Sequence, residues 1–127
     1  MSEAITQRTL FRSKRGQAPL TGIERFLDPA QPIVTKTDLK GRITYVNPSF
    51  LTITGFEESD LLGKAHNIVR HPDMPPEAFS DLWTTIQTGK AWQGRVKNCC
   101  KNGDHYWVNA YVTPITEKGV RIGYLSI

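Results

Sequence analysis

From Pro32 onward, apolar residues alternate with polar ones at both ends of the chain and take helical spacing in the middle. The runs IVTKTD and RITYVN flank Leu39-Lys40-Gly41, which predicts a hairpin with a glycine available for a positive φ. Asn47-Pro48 closes the second run and opens a short helix, SFLTITGF, with Asn47 as its cap, Pro48 in its first turn and Gly55 at its end. Glu57 to Leu62 predicts one or two further helical turns, ended by Gly63. Phe79, Leu82, Trp83 and Ile86 follow the i, i+3, i+4, i+7 pattern of an amphipathic helix, with Asp73 as its cap, Pro75-Pro76 at its start and Gly89 beyond its end. Then AWQGRVKNCC and HYWVNAYVTPI alternate around Asn102-Gly103, the strongest hairpin signal in the chain, and VRIGYLSI forms a last strand. Ahead of all this, Leu20, Ile23, Phe26 and Leu27 recur at helical spacing between Pro19 and Pro32, predicting a short amphipathic cap helix. The expected architecture is α+β: one five-stranded antiparallel sheet with short helices on one face. Residues 1–31 read as an N-terminal lead with its cap helix, and 32–127 as the domain proper.

Composition narrows the class without changing that picture. At 127 residues, 39% hydrophobic and 22% charged, the chain has room for one ordinary globular core. No apolar run approaches the roughly 20 residues that span a bilayer, and the first residues lack the apolar stretch of a secretion signal. The reading is cytoplasmic, with any membrane association supplied by a region outside this chain. Net charge is a modest +4. The basic cluster Arg8, Arg12, Lys14 and Arg15 reads as a solvated lead, and no nucleic-acid partner is expected. Cys99 and Cys100 are adjacent, too close for zinc-type spacing or an easy mutual disulfide, and read as reduced thiols.

The densest chemistry lies in HNIVRHPDMPPEAF, residues 66–79, where two histidines, an arginine and an aspartate precede a proline-opened helix. Three readings compete. A metal site could draw on His66, His71 and Asp73, although no helical register aims both imidazoles at one point. A helix start accounts for Asp73 but not for Arg70 or His71. A pocket for an anionic ligand accounts for more, since a guanidinium forms forked contacts with phosphate. No nucleophile–base pair occurs at recognisable spacing, so the chain does not read as an enzyme.

The stretches NP.F...TG, GKAHNIVRHPDMPPEAFSDLW, GKAWQGRVKN and KNGDHYWVNA carry a family likeness. Residues 33–127 resemble a PAS domain, and residues 41–127 resemble the flavin-binding PAS sensor domains of bacterial aerotaxis receptors. The resemblance implies a five-stranded sheet wrapped by short helices, with FAD held non-covalently in the cleft between them. It implies a sensor of redox state or oxygen supply that signals to a chemotaxis-type output or receptor region, and a homodimer is a further expectation. Arg70 would then contact the pyrophosphate, His71 would donate or stack, and Asp73 would orient them. Trp92, Gly94, Val96 and Asn98 share one strand face by alternation, which makes Asn98 a candidate for the polar edge of the flavin ring. Trp83 and Trp92 are candidates for ring contacts or plain core; Asn47 and His66 complete the cofactor-binding set. The chain departs from the family pattern at Cys99-Cys100, where basic residues are usual. The adduct cysteine of blue-light LOV receptors is missing from the segment HNIVRHP. A PAS interaction module without flavin, or a haem-binding PAS gas sensor, uses the same fold and is the alternative reading.

Overall fold

The computed structural model describes residues 18–127; the basic cluster of the lead lies outside them. Nine elements follow in order: β1 (Thr35–Thr37), β2 (Ile43–Val46), α1 (Pro48–Thr54), α2 (Glu58–Leu61), a 3-10 turn (His66–Val69), α3 (Pro76–Gln87), β3 (Trp92–Cys99), β4 (His105–Glu117) and β5 (Val120–Ser126). The strands form a single antiparallel sheet in the order β2-β1-β5-β4-β3, so the first and last strands of the chain pair at its centre. The five strands and intervening short helices are the predicted architecture.

Local chemistry explains most of the element ends. The Asn47 side chain accepts from the Phe50 N–H at 3.0 Å, and Gly55 closes α1 in the left-handed conformation at φ 75°. The Asp38 carboxylate accepts from the backbone N–H groups of Lys40 and Arg42, both at 2.9 Å, and from Arg42 Nε at 2.8 Å, which braces the β1–β2 turn. Gly41 takes φ 83° in that turn.

Two predicted features fold differently. Asp73 does not cap α3: the helix starts at Pro76, behind Pro75 in an extended conformation, with no side-chain cap. A residue preceding proline is pushed out of the helical region, so Pro75, ahead of Pro76, stays extended and the start is displaced past Asp73. The apolar spacing of Leu20 to Leu27 does not give a helix either. This segment is extended and bridges His105 at Glu24, with Arg25 N–H donating to the His105 carbonyl at 2.7 Å and His105 N–H to the Ile23 carbonyl at 2.9 Å. The opening of β4 has backbone groups that no neighbouring strand satisfies, and the segment supplies partners for them. Gly22 at φ 76° interrupts helical geometry, and Phe26 stays 79% exposed with no core to pack on.

The core is three apolar clusters under the sheet. Ile43, Val46, Phe50, Leu61 and Val69 pack between β2 and the first helices; Met74, Val96 and Ala110 lie beside β3 and β4; Ile86, Val112 and Tyr124 join α3 to the sheet centre. They surround an internal space instead of meeting in one block.

Candidate functional site: a cavity between sheet and helices

That space is a cavity of about 410 Å³. Its floor is the inner sheet face: Val96 and Asn98 from β3, Val108, Ala110 and Val112 from β4, Tyr124 and Ser126 from β5, and Thr35 and Thr37 from β1. Phe79, Leu82, Trp83 and Ile86 of α3 form the opposite wall. Residues of the β1–β2 turn and of the 65–70 segment close one end. Among the described residues, two cations, Lys40 and Arg70, line it, and no aspartate or glutamate does.

Backbone alternation decides which of the clustered polar residues reach this space. Arg70 forms an isolated antiparallel bridge with Asn98 at the outer edge of β3, and both line the cavity. The Arg70 guanidinium lies over the Phe79 ring, 4.6 Å from its centroid. In extended backbone the next residue points the other way, so His71 cannot join Arg70 in the cavity. Its ring instead packs edge-on against His105 at 5.8 Å, buried at 4% exposure, and accepts from the Asp73 N–H at 3.0 Å. Burial, reinforced by Lys97, lowers the His71 pKa to about 4, so the ring is neutral at physiological pH. Asp73 is exposed and accepts from Lys97 Nζ at 2.9 Å, away from the cavity lining.

The remaining candidates divide in the same way. His66 lines the cavity, with Nε2 3.1 Å from the Thr35 hydroxyl; burial lowers its pKa and keeps it neutral. Trp83 lines it and meets Tyr124 edge-on at 5.8 Å. Trp92 does not: its indole lies across Gly94, where a Cβ would collide with the ring, and donates to the Asp81 carboxylate at 2.8 Å. Asn47 is fully engaged in structure, capping α1, accepting from Val34 N–H at 3.0 Å and donating to the Pro32 carbonyl at 2.9 Å. The structure therefore gathers His66, Arg70, Trp83 and Asn98 at the cavity and places Asn47, His71, Asp73 and Trp92 elsewhere.

Asn98 is the buried amide of the cavity floor, 8% exposed. Two carbonyls, of Lys97 and Val69, face this side chain, and the amide orientation that satisfies them has its nitrogen donating to both at 3.3 Å. Tyr106 stands opposite Asn98 in the β3–β4 register, fully buried, with its hydroxyl beside the Asn98 side chain. Burial raises the Tyr106 pKa, so the phenol stays protonated.

Alternation on the β4 hairpin strand could have extended the sequence reading to Val108, Ala110 and Val112, since Val96 pairs with Val108. Nothing in the pattern marks Thr35 or Lys40. They join the site only because β1 pairs with β5 at the sheet centre. Among the described residues, no group of three His, Cys, Asp or Glu side chains is placed to hold a metal ion. No helix among them is long and apolar enough to cross a membrane.

A five-stranded antiparallel sheet enclosing such a cavity beneath short helices defines a PAS domain, and residues 43–127 match the PAS fold family model. The chain belongs to the PAS family, a class of sensory domains. It is 47% identical over 95 residues to the aerotaxis receptor of Escherichia coli K12, covering 75% of this chain and 19% of the receptor. It is 28% identical over 89 residues to the nitrogen fixation regulatory protein of Klebsiella pneumoniae, covering 70% of this chain and 18% of that protein. The chain thus spans less than a fifth of the length of either relative. Its fold superposes on the light-state structure of the blue-light photoreceptor Aureochrome1 LOV with a TM-score of 0.71 at 24% identity, covering 77% of this chain and 80% of that one.

Proposed function

We propose that this chain is a flavin-holding PAS sensor domain, with FAD as its cofactor, that reports redox state or oxygen supply to a signalling output. The observation that carries the reading is the cavity itself: an apolar slot with one buried amide in its floor and, on the segment whose backbone bridges that residue, an arginine that also lines it. Small-molecule pockets run from roughly 300 to 1,000 Å³ and combine apolar walls with a few placed polar groups. The cavity falls in that range, and its residues suit the parts of a flavin. Phe79, Leu82, Trp83, Val96 and Val112 offer walls for a flat ring, the Asn98 amide suits the ring's polar edge, and Arg70 suits a phosphate. The 47% identity to an aerotaxis receptor supports the stimulus and the chemotaxis-type output. On this reading residues 32–127 are the sensing unit and the preceding segment is a docked strap.

A bound flavin supplies reversible electron uptake, with a change in the hydrogen-bonding character of its ring edge. The chain's part is to answer that change. Asn98 can do so because its two amide ends have opposite hydrogen-bonding character, and a rotated amide would meet Val69 and Tyr106 differently. The test is an absorbance spectrum of the purified protein before and after dithionite, with the released cofactor identified. Flavin bands that bleach and return on reoxidation are expected. A dominant Soret band, or a colourless protein that takes up no added FAD, overturns the proposal.

A further inference from the structure

We propose that Lys40, on the β1–β2 turn, is a second phosphate-binding cation of this cavity, acting with Arg70 on the anionic tail of the ligand; this rests on the flavin reading above. Lys40 and Arg70 are the two cations among the described lining residues, which include no Asp or Glu. A cavity whose charged side chains are of one sign favours a ligand that brings negative charge.

The fold joins the two segments that carry these cations. The turn bearing Lys40 and the segment bearing Arg70 are stitched together: Arg42 bridges Ala65, and His66 N–H donates to the Gly41 carbonyl at 2.9 Å. Both pack on one face of α3. Arg70 lies over Phe79, while Gly41 sits so close to Trp83 that a Cβ there would fall 2.7 Å from the indole. Phe79 and Trp83 are four residues apart and so stack on adjacent helical turns. The turn's own carboxylate does not occupy Lys40. Asp38 receives Arg42 Nε at 2.8 Å, and from Lys40 only the backbone N–H. The Lys40 ammonium has no ion-pair partner among the described residues. Asp38 thus fixes the backbone that presents the ammonium without neutralising it.

The experiment titrates apoprotein with FAD, FMN and riboflavin, following flavin fluorescence, for wild type, Lys40→Gln and Lys40→Arg. Lys40→Gln should weaken FAD and FMN by about tenfold, the loss of one charge-assisted contact, and leave riboflavin, which has no phosphate, unchanged. Lys40→Arg should restore most of the loss, and the salt dependence of FAD binding should be shallower in Lys40→Gln. Equal losses for riboflavin and FAD, or no loss for any, overturn the assignment while leaving the flavin reading intact. A wild-type protein that binds none of the three removes both.

Discussion

Arg70 and Asn98 face each other across a single antiparallel backbone bridge at the edge of β3, and both line the cavity. The bridge also explains why residues crowded together in HNIVRHPDMP have separate roles. One residue further on, the chain turns its side chain away: His71 packs on His105, and Asp73 pairs with Lys97 in solvent.

Arg70→Ala should therefore lower FAD retention, and Asp73→Ala should not. Loss of a hydrogen bond to a charged group costs about 1.5–3 kcal/mol, or roughly one to two decades of affinity. The flavin-to-protein absorbance ratio after gel filtration measures it. Retention at the wild-type level in Arg70→Ala, or equal losses in both variants, would sink the division of roles drawn from the bridge.

How far the sequence carried follows from which of these relationships are local. The Asn47 cap, Gly55, the Asn102-Gly103 turn and the apolar face of α3 depend on neighbours within a few residues, and they stand where the pattern put them. Asn98 was legible by simple alternation along β3. Composition could not show that two prolines delay α3 past Asp73, nor that the open start of β4 outcompetes helical spacing around Ile23. Both outcomes are set by backbone geometry and long-range hydrogen bonding. Lys40 and Thr35 were invisible for a related reason: only the pairing of β1 with β5 carries them to the cavity.

The strap before Ile33 should contribute to stability through Arg25. Its Nε donates to the Asp104 carboxylate at 3.0 Å and its Nη1 to the Ile53 carbonyl at 3.0 Å, tying the β3–β4 turn to the end of α1. Arg25→Ala should cost about 1–2 kcal/mol, less than a fully buried pair because the guanidinium is partly exposed. Urea unfolding checks this, and an unchanged midpoint would mean the strap is energetically idle.

Acid should destabilise the domain in two stages. The folded-state pKa of His71 is about 4, below its ordinary value near 6.5, so the unfolded chain binds the extra proton first and stability falls as pH drops from about 6.5 toward 4. The Asp104 carboxyl is held below its usual range by hydrogen bonds from Thr21 and Arg25. Its contribution is present above the unfolded value of about 3.9 and is lost as pH falls further, through the folded pKa. His66, whose pKa burial also lowers, adds to the upper stage, so His71→Asn should reduce that stage and spare the lower one. Thermal melts between pH 7 and pH 3 separate them; an unchanged upper stage in the variant would place the titrating group elsewhere.

Neither thiol is expected to act as the redox sensor. Cys99 and Cys100 are both fully buried; burial pushes the Cys100 thiol up to about 11, and Cys100 Sγ donates to the Ile53 carbonyl at 3.2 Å. The reactive species is the thiolate, so alkylation of native protein should be slow and become fast only on unfolding. A Cys99→Ser/Cys100→Ser variant should still bleach and reoxidise reversibly. Loss of that reversibility in an otherwise folded variant would assign the sensing step to sulfur.

Asn98→Leu is the sharpest test of how the cavity speaks to the sheet. The substitution keeps the side chain's size at an 8% exposed position, so the floor stays filled and FAD should remain bound. What it removes is the amide that, turned to donate, reaches the Val69 carbonyl at 3.3 Å and that stands beside the Tyr106 hydroxyl. Re-pairing one or two hydrogen bonds there is worth on the order of 1–3 kcal/mol, enough to bias a two-state element and too little to unfold the domain. Asn98 lies near the end of the β3–β4 ladder, close to where Arg25 and Asp104 hold the strap, so a change in its bonding would be felt at both. Hydrogen exchange across residues 91–127 should differ between oxidised and reduced wild-type protein and lose that difference in Asn98→Leu. A variant that retains FAD and the full redox-dependent difference would show that the signal leaves the cavity by another residue.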